Sequence, residues 1–230
     1  MKISCDTVAS MVAIWNWHKG LGVKMVKWRG LLFSALVIGM ICISGCTRTP
    51  AAFVDDFSDP ASGWGAASHE TYVRGYQQGE YLIQIDVPHW FVWATAGYAY
   101  DDVQIDAAVR SAGQRDNHFG LICRYDDQNF YYFAISTDGY YGIFRHESDG
   151  TMQMLTGDDM LYSPLIQVES NGGHIRAVCE DNLLTLYVNG QLLVEIEDKV
   201  LTKGDIGMAA GTVKNGGSSI WFDDFEVSKP

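Results

Sequence analysis

From residue 53 onward, apolar side chains recur at every second position over short stretches, and no stretch repeats them at the three-to-four residue spacing of a helix. Residues 81–87 (YLIQIDV), 103–109 (VQIDAAV) and 183–188 (LLTLYV) each largely alternate apolar with polar or small residues, the signature of strands with one buried face. Turn sequences separate them: Gln78-Gly79, Asp126-Asp127-Gln128-Asn129, Asp138-Gly139, Asp149-Gly150, Asp181-Asn182 and Asn189-Gly190. Asp138-Gly139 is expected to join 130–137 to 140–146 as a tight hairpin. Asn189-Gly190 is expected to join 183–188 to 191–197 likewise, because both turn residues must accept positive φ and Asn or Asp before Gly does so at little cost. About a dozen antiparallel strands in one two-sheet domain follow. The weakly patterned stretch 157–173 is expected to be a crossing loop with Leu165 and Ile166 pinned to the core.

The first 45 residues break the pattern. Lys24, Lys27 and Arg29 precede an apolar run of fourteen residues from Leu31 to Ser44, too short for the roughly twenty that span a bilayer, and it closes on small residues. The segment is expected to be a secretory leader, residues 1–45, with translation starting at Met1 or Met25 and the signal proper covering 25–45. Ile43-Ser44-Gly45-Cys46 resembles the lipobox of bacterial lipoproteins. That resemblance implies a mature chain beginning at diacylated Cys46, a lipidated tether over 46–52 and a folded domain over 53–230, held at the cell envelope outside the cytoplasm by acyl chains in the membrane.

Export changes how the cysteines are read. Cys123 and Cys179 each share a strand face with apolar neighbours, so both thiols point inward, either bonded to each other or as buried free thiols. Setting the leader aside leaves eleven basic residues against twenty-seven acidic, a net of −16. A body so acidic repels phosphate backbones, which excludes nucleic acid as a partner.

No Cys-x-x-Cys, His-Glu-x-x-His, Gly-x-Ser-x-Gly or phosphate-binding glycine loop is present, which removes the common zinc, serine-hydrolase and nucleotide classes. Glu195 and Glu197 have the i, i+2 spacing that could set two carboxyls on one strand face, yet they more simply form a solvated face. The acids Asp56, Asp59 and Asp223 lie near the two ends of the domain, where a pairing of first and last strands would gather them around a structural calcium; the alternative is a set of exposed turn acids, and no other cofactor is expected. Aromatic residues exceed the needs of one core, and adjacent pairs such as Tyr131-Tyr132 must send one ring outward. Outward rings would either form a sugar platform or cover the sheet.

The landmarks Asp56-Phe57-Ser58-Asp59 with Trp64, Phe119-Gly120-Leu121-Ile122-Cys123-Arg124-Tyr125, Leu186-Tyr187-Val188-Asn189-Gly190 and Phe222-Asp223-Asp224-Phe225 resemble the concanavalin A-like lectin/glucanase sandwich. Within that group the likeness is to laminin-G-like modules and the 3-keto-disaccharide hydrolase domain. The resemblance implies an all-β, two-sheet jelly roll that holds carbohydrate on the concave sheet, with Arg124 and Asp106 as contacts; His118 and the surplus rings Tyr132 and Trp93 are the further candidates for the sugar platform. The Glu-x-Asp-x-Glu strand of the family's glucanases is absent. A non-catalytic, lipid-anchored glycan-binding module is therefore expected first, with a keto-sugar enzyme or a structural adhesion domain as the other readings.

Overall fold

In a computed structural model that describes residues 52–167 and 172–230, the chain folds as a two-sheet antiparallel jelly roll. The leader and Cys46 lie outside the described residues. Among the described residues there is no helix, and so none long and apolar enough to cross a membrane.

The larger sheet runs β14 (Gln191–Glu197), β13 (Leu183–Val188), β12 (Gly173–Glu180), β6 (Val103–Gly113), β16 (Ser218–Ser228), β4 (Glu80–Ile85), β3 (Tyr72–Gln77) and β2 (Ala67–Ser68), with β1 (Phe53–Asp55) also on β16. The smaller sheet runs β10 (Met152–Met154), β9 (Tyr140–His146), β8 (Asn129–Ile135), β7 (Asn117–Asp126), β15 (Gly204–Thr212) and β5 (Phe91–Tyr100), with β11 (Leu161–Tyr162) on β9. First and last strands pair as the sequence suggested, Phe53 opposite Val227 and Asp55 opposite Phe225.

The alternation read from the sequence now has a cause. Ile105, Ala107, Ile175, Ala177, Leu184 and Leu186 from one sheet meet Phe119, Leu121, Tyr131, Phe133 and Met208 from the other, all without measurable exposure. Cys123 on β7 and Cys179 on β12 are bonded across this core, so the disulfide staples the two sheets to each other. Trp64 seals one end of the core, packing edge-on to Phe225 and donating its indole N–H to Asp55 at 2.9 Å. Of the loop residues expected to be pinned, Ile166 is in the core, whereas Leu165 is exposed.

The two glycine hairpins differ. At Asn189-Gly190 both residues have positive φ, as a two-residue turn requires. At Asp138-Gly139 only the glycine does; Ser136 and Tyr140 close the loop instead (Ser136 N to Tyr140 O, 2.8 Å), so this is a type I turn followed by a glycine bulge.

Candidate functional site

The outer face of the smaller sheet carries a second apolar cluster, separate from the core. Strand alternation sends Phe91 and Trp93 of β5, His118 and Ile122 of β7, Phe130, Tyr132 and Ala134 of β8, and Phe144 and His146 of β9 to this side. The registers set Gly142, Ala134, Gly120 and Ala209 side by side across four strands, ending at Trp93. That row of minimal side chains leaves space for the neighbouring rings to lie down on the sheet. The imidazole of His118 occupies the position where a Cβ on Gly211 would stand, 2.4 Å away, so any larger residue there would displace it.

The rings pack on each other. Phe130 and His146 are parallel at 4.6 Å, Phe91 stacks on His118 at 5.7 Å, and Trp93 leans on Phe130 at 5.7 Å. Phe130 and Tyr132 are fully buried, while Phe91, Trp93 and Tyr125 are only partly so and form the accessible rim together with Met152, Met154 and Met160. His146 donates its Nδ1–H to the carbonyl of Gln128 at 2.7 Å. His118 Nδ1 and the Tyr132 hydroxyl share a 3.0 Å hydrogen bond.

Burial dominates the electrostatics. It lowers the His118 imidazole to about 4 and raises the Tyr132 hydroxyl well above its usual value, so both are neutral at physiological pH. Asp205, on β15 opposite Tyr125, is also raised by burial, against the pull of the N–H groups of Ile206, Gly97 and Tyr98 that it accepts. Among the described residues that the smaller sheet's strands send to this face it is the one carboxylate and there is no Lys or Arg; Arg74, on β3 of the larger sheet, lines the hollow beside Phe91 and Trp93.

His118 gives the fold an acid sensitivity whose sign follows from its shift. Folded it titrates near 4, unfolded near 6.5, so between these values the unfolded chain holds the extra proton. Stability from this group is complete above pH 6.5 and falls as pH drops through the window, by up to about 3 kcal/mol. We expect the urea midpoint to fall from pH 7 to pH 4.5, and to fall less in His118→Gln, which cannot titrate. Parallel midpoints in the two proteins would rule this group out as the cause.

Three of the five residues expected to contact a ligand, His118, Tyr132 and Trp93, converge on this face; the other two do not. A bulge in β7, marked by the register shift after Cys123 and by φ +55 at Arg124, breaks the alternation that would have carried Arg124 outward. Its guanidinium is instead buried at one end of the sandwich, donating to the carbonyls of Asp101, Leu201 and Asp181 at 2.9–3.0 Å and lying 3.5 Å from Asp102. Asp106 lies on the outer face of the other sheet, bound to Arg176 at 2.7 Å. Of the acids expected around a calcium, Asp56 accepts from Ser58 and Asp59 from Ala61 N as turn acids, and Asp223 accepts from Asp224 N and is raised by burial and in part by the Asp56 charge; no group of three or more metal-binding side chains exists among the described residues. Phe91, Phe130, Phe144 and His146 went unread in the sequence as site residues. The signal was there, since 130–135 (FYYFAI) is apolar at every position and must be buried on both faces.

No protein-family model and no curated protein matches the sequence. Solved structures share the fold. A β-glucanase of Bacillus licheniformis is 12% identical over 80% of this chain and 100% of its own, with a TM-score of 0.58. A transglycosylase in complex with NAG is 7% identical over 79% of this chain and 85% of its own, with a TM-score of 0.61. A carbohydrate-binding module of Bacillus subtilis is 14% identical over 78% and 96%, with a TM-score of 0.50. At these identities the likeness is one of fold.

Proposed function

We propose that the domain is a carbohydrate-binding module that holds neutral glycans on the outer face of its smaller sheet, displayed outside the cytoplasm by a lipid on Cys46. The observation that carries this reading is the ring cluster itself: Phe91, Trp93 and Tyr125 stand at the rim of a buried aromatic floor, with Arg74 of the larger sheet lining the hollow beside Phe91 and Trp93. Rings fixed by packing lose little freedom when a sugar's C–H groups stack on them, and the Trp93 indole N–H offers a bond to a hydroxyl. Binding is favoured over hydrolysis here because a retaining glycosidase needs two carboxyls about 5 to 5.5 Å apart, whereas Asp205 is the one carboxylate among the described strand residues of this face and is held by backbone N–H groups. The sandwich of a carbohydrate-binding module and the glucanase-like neighbours agree with such a use of the fold. The core disulfide agrees with export.

Calorimetric titration with a broad panel of neutral oligosaccharides tests the reading. At least one is expected to bind, and Trp93→Ala to raise its Kd tenfold or more, about 1.4 kcal/mol, with little loss of stability because Trp93 is at the rim. No binding across the panel by the folded protein would contradict it. It would favour instead the structural or adhesion role, which the complete burial of Phe130 and Tyr132 would serve equally well. Mass spectrometry of the mature N-terminus is expected to find an acylated Cys46.

A further inference from the structure

The outer face of the larger sheet, opposite the aromatic cluster across the core, carries a cleft of different chemistry. On one row the register places His174 of β12 and Asp223 of β16 on either side of Ala108 of β6. A methyl group between two larger polar side chains leaves a gap, and Ala108 is its floor. One wall is Arg110, whose guanidinium lies 3.9 Å above the Trp221 ring while it forks onto Glu80. The other is Asn189, whose Oδ1 accepts the backbone N–H of His174 at 2.9 Å and whose side-chain amide nitrogen has no partner among the described residues.

The charged side chains that line this cleft are matched except for one. Glu80 is neutralised by Arg110, and Asp106 by Arg176. Asp223 has, among the described residues, only the N–H of Asp224. It sits where β16 is bulged, between Asp223 and Glu226, with Asp224 at φ +45, so the chain departs from regular pairing at the residue that faces the gap. Bulges re-aim side chains in this way next to binding sites.

We infer that this cleft is a second saccharide site, taking one neutral polyhydroxylated ring, with Asp223 accepting from its hydroxyls, Asn189 donating to them, and His174 closing the far side. Charge selects the class. An anionic ligand would meet the Asp223 carboxylate, and a simple cation would leave the Asn189 amide donor unused, whereas a ring of hydroxyls satisfies an acceptor and a donor together. The inference does not rest on the aromatic face; if both sites operate, a single domain bridges two glycan chains.

Amide and indole resonances of the ¹⁵N-labelled protein test it, titrated separately with glucose, galactose, mannose, fructose and N-acetylglucosamine to several times a millimolar Kd, the weak end of specific recognition. Shifts are expected at Ala108, His174, Asn189 and the Trp221 indole for at least one sugar, with a Kd raised tenfold or more by Asp223→Ala and by His174→Gln, and unchanged by Trp93→Ala. Asp223→Asn, which keeps the shape and an acceptor oxygen, is expected to retain part of the affinity. If no sugar shifts these resonances, or putrescine or phosphate shifts them where sugars do not, the inference is overturned. Shifts confined to Phe91 and Trp93 would overturn it while leaving the aromatic-face reading intact.

Discussion

Arg124→Met is expected to lower the free energy of unfolding by about 3 to 5 kcal/mol, seen as a lower denaturant midpoint at unchanged slope. The guanidinium is 1% exposed and ties together three segments distant in sequence: the β5–β6 turn through Asp101, the β12–β13 turn through Asp181, and the approach to β15 through Leu201. Methionine keeps most of the stem's apolar volume and removes every donor. Carbonyls left without a partner each cost about 1 to 3 kcal/mol, moderated where water can reach them. Arg124→Lys is expected to fall between, since a single ammonium cannot serve three carbonyls held apart by a planar fork. Glycan affinity in the folded Arg124→Met protein is expected to be unchanged. A loss of binding without a loss of stability would return Arg124 to the ligand site that the sequence suggested and would contradict the geometry.

Breaking the Cys123–Cys179 bond is the second large effect. The bond closes a loop of 56 residues, for which the chain-entropy account gives about 4 kcal/mol. For a domain of this size that corresponds to a fall in Tm of roughly 10 °C. Both sulfurs belong to residues with no measurable exposure, so a reductant is expected to act slowly on the native protein and fast once it unfolds. Scanning calorimetry of Cys123→Ala/Cys179→Ala against the oxidised parent separates the bond from reductant effects. Equal Tm values would mean that the sheets need no staple.

The strands were legible because the physics of alternation is local: a residue pair such as Ile105 and Ala107 declares its face without reference to the rest of the chain. The turns at Asn189-Gly190 and Gln78-Gly79 were legible for the same reason, both residues of each taking positive φ. Arg124 was misplaced because a bulge shifts parity by one, and nothing within 119–125 (FGLICRY) marks where the extra residue enters. Asp106 was given the correct alternation and the wrong surroundings, since which sheet a strand joins depends on pairing with β12 and β16, far off in sequence. His118, Tyr132 and Trp93 were nominated singly. Their convergence needed the order β8-β7-β15-β5, in which β15 from the end of the chain separates β7 from β5.

A crystal structure of the protein grown with the tightest-binding neutral oligosaccharide of the panel tests the central claim most directly. A sugar ring is expected stacked on Trp93 or Phe91, with hydroxyls near His118. An oligosaccharide seated away from the outer face of the smaller sheet, leaving those rings unoccupied, would contradict it.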